Sequence, residues 1–160
     1  ENVAGIVALA AAAELAARER EAEQARIASL RDRLWRQIRE RIPNIYRNGH
    51  PVQCLANTLN VSFEYIEGES ILLSLDMKGI AASSGSACTS GSLEPSHVLM
   101  AMGMPVELAH GSVRFSLGRD NTEQQIDATV QALAEAVGRL REMSPITPGS
   151  ACGSSDGKPA

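Results

Sequence analysis

The sequence predicts an α+β domain, with a small antiparallel or mixed sheet covered by helices on one side and one long helix in front of it. Three observations carry that expectation. Leu59, Val61, Phe63 and Tyr65 alternate with Asn60, Ser62 and Glu64, a period of two that marks a half-buried strand. Val113, Phe115 and Leu117 repeat the pattern against Ser112, Arg114 and Ser116. Apolar residues also recur at three- and four-residue steps, the spacing of a helix face, at Ile27, Leu30, Leu34, Ile38 and Ile42 and again at Ile126, Val130, Leu133, Val137 and Leu140.

Composition sets the bounds. A chain of 160 residues suits one domain. With 44% hydrophobic and 21% charged residues it is ordinary for a globular protein, and at 3% aromatics its core must be built from Ala, Leu, Val, Ile and Met. The net charge of −4 points away from a nucleic-acid partner. Most arginines lie between Arg18 and Arg47, interleaved with glutamates, and are expected to form a solvated helix face. The cysteines, Cys54, Cys88 and Cys152, are odd in number and widely spaced, and no signal peptide is visible, so a disulfide framework is not expected and the cytoplasm is the expected compartment. The longest apolar run, Ile6 to Ala13, is too short for a bilayer, so no membrane is expected. The chain opens on Glu1 inside a helical pattern, and a cut within a larger protein is expected.

In order, the long helix is expected over Val3 to Arg41, capped by Asn2, rich in alanine and stopped by Pro43. Val3, Ile6, Val7 and Ala10 form its first apolar stripe, and Arg18 to Gln24 is either a bend or an exposed turn. Residues 1–42 are thus a linking helix and 43–145 the α+β domain. Ile45, Tyr46 and Val52 allow a short strand or two around the Asn48-Gly49 turn. After the strand at 59–65, Ile71, Leu72 and Leu75 predict a helix over 68–77, and Ile80-Ala81-Ala82 a short strand. A helix should start at Pro95 and bury Val98, Leu99 and Met102, with a further turn over 105–109. Thr122-x-x-Gln125 is a capping box that opens the last helix. The tail, 146–160, is small, polar and expected to be disordered.

Chemistry concentrates in the loop 83–94. Its first ten residues hold five serines, a threonine and two glycines around Cys88. Such a loop cannot join a core, and it is either a flexible linker or a mobile arm that carries chemistry. A thiol there is exposed, and with an ordinary pKa of about 8.5 it needs a cation or helix dipole to ionise at neutral pH. Cys88 is therefore either a reactive thiol or an incidental one. Arg114 sits mid-strand opposite an apolar face, so its fork either binds a carboxylate or phosphate or pairs with an acid of the domain itself. Cys54 is expected to be structural and Cys152 incidental. His97 should face outward and His50 lies in a turn. With Cys54, Cys88 and His110 they show no metal-ligand spacing. Gly85 and Gly91 match neither a P-loop nor a dinucleotide fingerprint.

The stretch from Ser83 to Val98, with Ser-Ala-Cys88-Thr-Ser-Gly at its centre, resembles the active-site loop of the cysteine desulfurases. These are pyridoxal-phosphate enzymes of the class V aminotransferase group, and the likeness is strongest to the nitrogen-fixation branch. Ala109 to Arg119 resembles the strand after that loop, Asn57 to Glu69 the strand and helix before it, and Glu1-Asn2-Val3 the hand-over from the large domain. The likeness spans about residues 1–145 and implies the small C-terminal domain of that fold. It implies that Cys88 attacks the sulfur of L-cysteine, becomes a persulfide as alanine leaves, and passes the sulfur to an iron–sulfur scaffold protein. Arg114 would hold the substrate carboxylate, and Asn57 would also bind substrate. No resident metal is implied, beyond a transient iron–sulfur contact through Cys88. The family acts as homodimers. Its Schiff-base lysine, the histidine before it and the pyridine-contacting aspartate have no counterpart here, because Lys78 and Lys158 lack the His-Lys context. Ala56 stands where relatives often carry proline. The chain alone is therefore expected to be inactive, needing pyridoxal 5′-phosphate held elsewhere, or else to be a non-enzymatic module that accepts a persulfide or binds a scaffold.

Overall fold

The computed structural model describes residues 1–84 and 95–144. Cys88, most of the loop expected at 83–94, and the tail with Cys152 and Lys158 lie outside them.

Helix α1 runs unbroken over Val3–Arg41, with no bend at 18–24. The Asn2 side chain accepts from the Gly5 amide at 3.0 Å, satisfying one of the amides a helix start leaves unpaired. At the other end the Ile42 amide still bonds Ile38, and Pro43 cannot continue the ladder. The two stripes part company. Ile27, Leu30, Leu34 and Ile38 are buried, whereas Val3, Ile6 and Val7 are exposed.

Three strands follow, β1 (Ile45–Asn48), β2 (Thr58–Phe63) and β3 (Ser112–Ser116), antiparallel in the order β1-β2-β3. On one face Leu59, Val61, Phe63, Val113 and Phe115 meet α1, α2 (Gly68–Asp76) and α5 (Glu123–Met143) in one apolar core. Fully burying each such side chain contributes roughly 1.5–3 kcal/mol. The capping box of α5 forms as expected, with Gln125 N–H on Thr122 Oγ1 and the Gln125 side chain on the Thr122 amide. Its stripe buries Ile126, Val130, Leu133 and Val137.

Several expectations need correction. Ile80 to Ala82 is not a strand. Only Ser83 pairs, in a single antiparallel bridge with Arg114, because the Lys78-Gly79 turn leaves too little chain to lay a ladder along β3. Val52 forms no strand and is exposed, Tyr65 leaves β2 at φ +69°, and residues 106–110 wind into a short helix, α4, rather than a turn. In α3 (His97–Ala101) only Leu99 is buried; Val98 is 54% and Met102 55% exposed, because a five-residue helix presents a single position to its neighbours. The arginines of α1 are not simply a solvated face. Arg31 is only 8% exposed and donates to Leu55 O at 2.8 Å. Arg26 donates to the carbonyls of Asn121 and Arg119, and Arg33 reaches Asp127 on α5. These side chains fasten α1 to the loops at Leu55 and 119–121 and to α5.

One junction positions β3. Gly111 lies against the end of β2, where Phe63 N–H donates to Gly111 O at 2.9 Å. A Cβ on Gly111 would sit 2.2 Å from Phe63 O, and one on Gly68 would sit 2.6 Å from Ser112 O. Both glycines are present for close backbone approach rather than for an unusual φ.

Candidate functional site

Because alternate residues of a strand face opposite ways, burying Val113 and Phe115 turns Ser112, Arg114 and Ser116 to the other face of the sheet. Register then assembles the site. Asn48 pairs with Asn60 and Asn60 with Arg114, so the three side chains stand in one cross-strand row. Asn48 Nδ2 donates to Asn60 Oδ1 at 2.6 Å and to Ser62 Oγ at 2.9 Å. Ser62 is completely buried on this polar face, and its hydroxyl donates to Met104 Sδ at 3.5 Å, beside α4. The face is therefore not bare, and the expectation of helices on one side holds only for the long ones.

Ser83 ends the row beyond Arg114. Its amide donates to Arg114 O at 3.1 Å and its carbonyl accepts from Arg114 N–H. Arg114 Nη2 donates to Ser83 Oγ at 3.3 Å. The guanidinium is half-buried and forms no ion pair among the described residues, so the alternative of an internal carboxylate partner is not what these residues build. A guanidinium carries five N–H donors, and among the described residues only Ser83 Oγ takes one of them, which leaves the rest of the fork able to meet a planar anion.

The other sequence candidates are scattered. Asn57 lies at the entry to β2, where its carbonyl accepts from the Leu117 amide at 2.8 Å and its side chain accepts from Thr58 Oγ1 at 3.3 Å. No hydrogen bond joins it to Arg114. Cys54 is exposed in the segment between β1 and β2, where its sulfur accepts from Arg31 Nη1 at 3.3 Å and Arg47 Nη2 at 3.5 Å. His50 Nδ1 accepts from the amides of Val52 and Gln53, which stabilises a turn, and His97 and His110 are exposed. Among the described residues no group of three His, Cys, Asp or Glu side chains is placed to hold a metal. None of their helices is long and apolar enough to cross a membrane.

Sequence reasoning missed Asn48, Asn60, Ser62 and the role of Ser83. A signal was present in the small hydrogen-bonding residues at the alternate positions of both strands, where a merely solvated face more often carries long charged side chains. Only the register shows that they meet.

The aminotransferase class-V family profile matches residues 1–129. The chain belongs to the class-V aminotransferase family. Cysteine desulfurase IscS of Methanosarcina thermophila is 56% identical over 148 residues, 92% of this chain and 36% of that protein. The cysteine desulfurase of Gluconacetobacter diazotrophicus is 52% identical over 155 residues, 97% of this chain and 39% of its own length. The crystal structure of a NifS-like protein from Rickettsia africae superposes with a TM-score of 0.75 at 28% identity, over 86% of this chain and 35% of that one. A second NifS-like protein gives 0.75 at 31% identity, over 88% of this chain and 35% of that one. The chain thus spans little more than a third of these relatives.

The family is pyridoxal-phosphate-dependent in general, and the described residues do not fit that cofactor. It requires an amine for its aldehyde, and the one described lysine, Lys78, is ion-paired with Glu135 of α5, in the helix layer on the opposite side of the sheet from Arg114. No step through the cofactor is assigned to this chain.

Proposed function

We propose that this chain is the carboxylate-anchoring and sulfur-accepting part of a cysteine desulfurase. Arg114 is the observation that carries the reading. A half-buried guanidinium on a polar sheet face, with a hydroxyl and no described carboxylate beside it, suits an amino-acid carboxylate in a family whose curated relatives are named cysteine desulfurases. L-cysteine is the amino acid. Bidentate capture by Arg114 fixes its backbone end, so that its thiol has a defined place.

Cys88 takes the sulfur. In the net step L-cysteine and the Cys88 thiol become L-alanine and a Cys88 persulfide. An S–S bond forms at Cys88 and the substrate Cβ–S bond breaks. The carbon keeps the electron pair and takes the proton that the Cys88 thiol gives up. The sulfurs are oxidised to the persulfide level and the carbon is reduced to a methyl group. The persulfide then goes to an iron–sulfur scaffold protein. Residues outside this chain hold the pyridoxal phosphate that makes the carbon an electron acceptor, and the complete protein is a cytoplasmic homodimer.

The test is mass spectrometry of the complete protein after L-cysteine, with free thiols blocked. One added sulfur on the peptide carrying Cys88, together with loss of alanine production in Cys88→Ala, supports the reading. Alanine production undiminished in Cys88→Ala overturns it. The commitment of Lys78 to Glu135 favours a second reading for the chain alone, a module that accepts sulfur from a donor enzyme. That reading expects the same added sulfur from a donor and no alanine from L-cysteine.

A further inference from the structure

We infer that Ser83 is a positioning residue for Arg114, aiming the guanidinium at the substrate carboxylate. The inference rests on the carboxylate reading of Arg114. Ser83 is joined to Arg114 three times, by both backbone bonds of the bridge and by the side-chain contact at 3.3 Å. The serine hydroxyl has one proton, and Ser83 Oγ spends it on the Ser84 carbonyl at 2.9 Å. Its lone pairs are thereby turned to accept, and the Arg114 Nη2 donor lies on them. A flexible arginine has considerable rotamer entropy to lose on being ordered. An acceptor fixed by the backbone bridge removes part of that freedom before substrate arrives, and the cost of ordering is not met again on binding. Ser83 contacts the substrate at no point. It acts by holding one edge of the fork, which leaves the other edge pointed at the ligand.

This role differs from general support of the fold in what it discriminates. Misaiming Arg114 harms a substrate with a carboxylate and hardly touches one without. The experiment measures kcat/KM for L-cysteine and for L-cysteine methyl ester in the complete holoenzyme. Parent protein, Ser83→Ala, Ser83→Thr and Arg114→Gln are compared. Loss of one charge-assisted bond should lower the preference for acid over ester roughly 5-fold to 10-fold in Ser83→Ala. The loss should fall in KM, because the contact orients bound substrate and does not touch the breaking bond. Ser83→Thr, which keeps the hydroxyl, should restore the preference.

The inference is overturned if Ser83→Ala slows acid and ester equally, or if it leaves the preference unchanged while Arg114→Gln collapses it. If Arg114→Gln also leaves the preference unchanged, the carboxylate reading fails, and this inference with it. Should Ser83→Ala fail to fold, Ser83→Cys is measured with the same two substrates. It keeps the bridge and offers a far weaker acceptor, so the same loss of preference is expected and an unchanged preference refutes the inference.

Discussion

Replacing Gly111 by alanine should unseat the strand that carries Arg114. The new Cβ would lie 2.2 Å from Phe63 O and 3.0 Å from Ile66 O, both backbone atoms. A carbon and a carbonyl oxygen rest near 3.3 Å apart, as in the weak Cα–H···O contacts of sheets, so one backbone must move by about 1 Å. Overpacking of this kind costs about 1–3 kcal/mol. The same movement pulls on the bond from Phe63 N–H to Gly111 O, 2.9 Å long in the parent and worth about 1 kcal/mol net. Together they give about 2–4 kcal/mol. For a chain of this size 1 kcal/mol shifts the melting temperature by roughly 2–4 °C, so Gly111→Ala should melt about 5–15 °C lower. Calorimetry or circular dichroism reads this directly. Gly138→Ala is the control, because α5 leaves nothing within 4 Å of its Cβ and helix propensity alone should raise stability by about 1 kcal/mol. A Gly111→Ala protein that melts with the parent would refute the packing argument, because no side-chain rearrangement can relieve a clash between two backbones.

Arg114→Gln should lower kcat/KM for L-cysteine in the complete enzyme by roughly 10-fold to 100-fold, since hydrogen bonds to charged groups are worth about 1.5–3 kcal/mol; a change of less than 3-fold in steady-state kinetics would speak against the assignment. Asp127 supplies a pH prediction. Hydrogen bonds from Arg33, then from Gln37, hold its carboxyl down to about 2, below the ordinary 3.8 of the unfolded chain. A depressed acid stabilises the fold above its unfolded value and loses that contribution as pH falls towards the folded value. Acid unfolding between pH about 4 and about 2 should therefore be shallower in Asp127→Asn, with stability also lower at neutral pH. Added salt should shrink the difference, because the pair is partly exposed.

How much was legible in the sequence follows from how local each signal is. The long helix, both main strands and the last helix are written in residue spacing, so Asn2, Pro43 and the Thr122 capping box mark boundaries that the fold keeps. Two of the failures are non-local. Val98 and Met102 sit at helical spacing from Leu99, but α3 is too short for periodicity to say which side meets the protein. The strand expected at 80–82 had suitable residues and no length of partner to pair with. At the site, Arg114 could be singled out because charge on a half-buried strand is costly. Asn48 and Asn60 could not, because their meaning lies in the register that brings them beside it.

That register also predicts an uneven stiffness along the row. Arg114 lies between Val113 and Phe115, and a slip of one residue would drive its guanidinium into the core and both apolar side chains out of it. Losing those two burials alone costs about 3–6 kcal/mol, so the position of Arg114 on β3 is fixed by its neighbours rather than by its own contacts. Ser83 has only a weaker anchor, since Ile80 and Ala82 before it are partly buried against the core. It joins the sheet by one bridge, it is half-buried, and neither Ala82 before it nor Ser84 after it is fully buried. The free energy of opening at Ser83 is thus set chiefly by its three hydrogen bonds to Arg114, about 2–4 kcal/mol, and at Val113 by much of the global unfolding energy. Native-state hydrogen exchange should show the Ser83 amide exchanging at least 100-fold faster than that of Val113. Equal protection of the two amides would mean that the segment entering at Ser83 is held by more than this bridge, and the picture of a rigid arginine with a loosely tied edge would have to be given up.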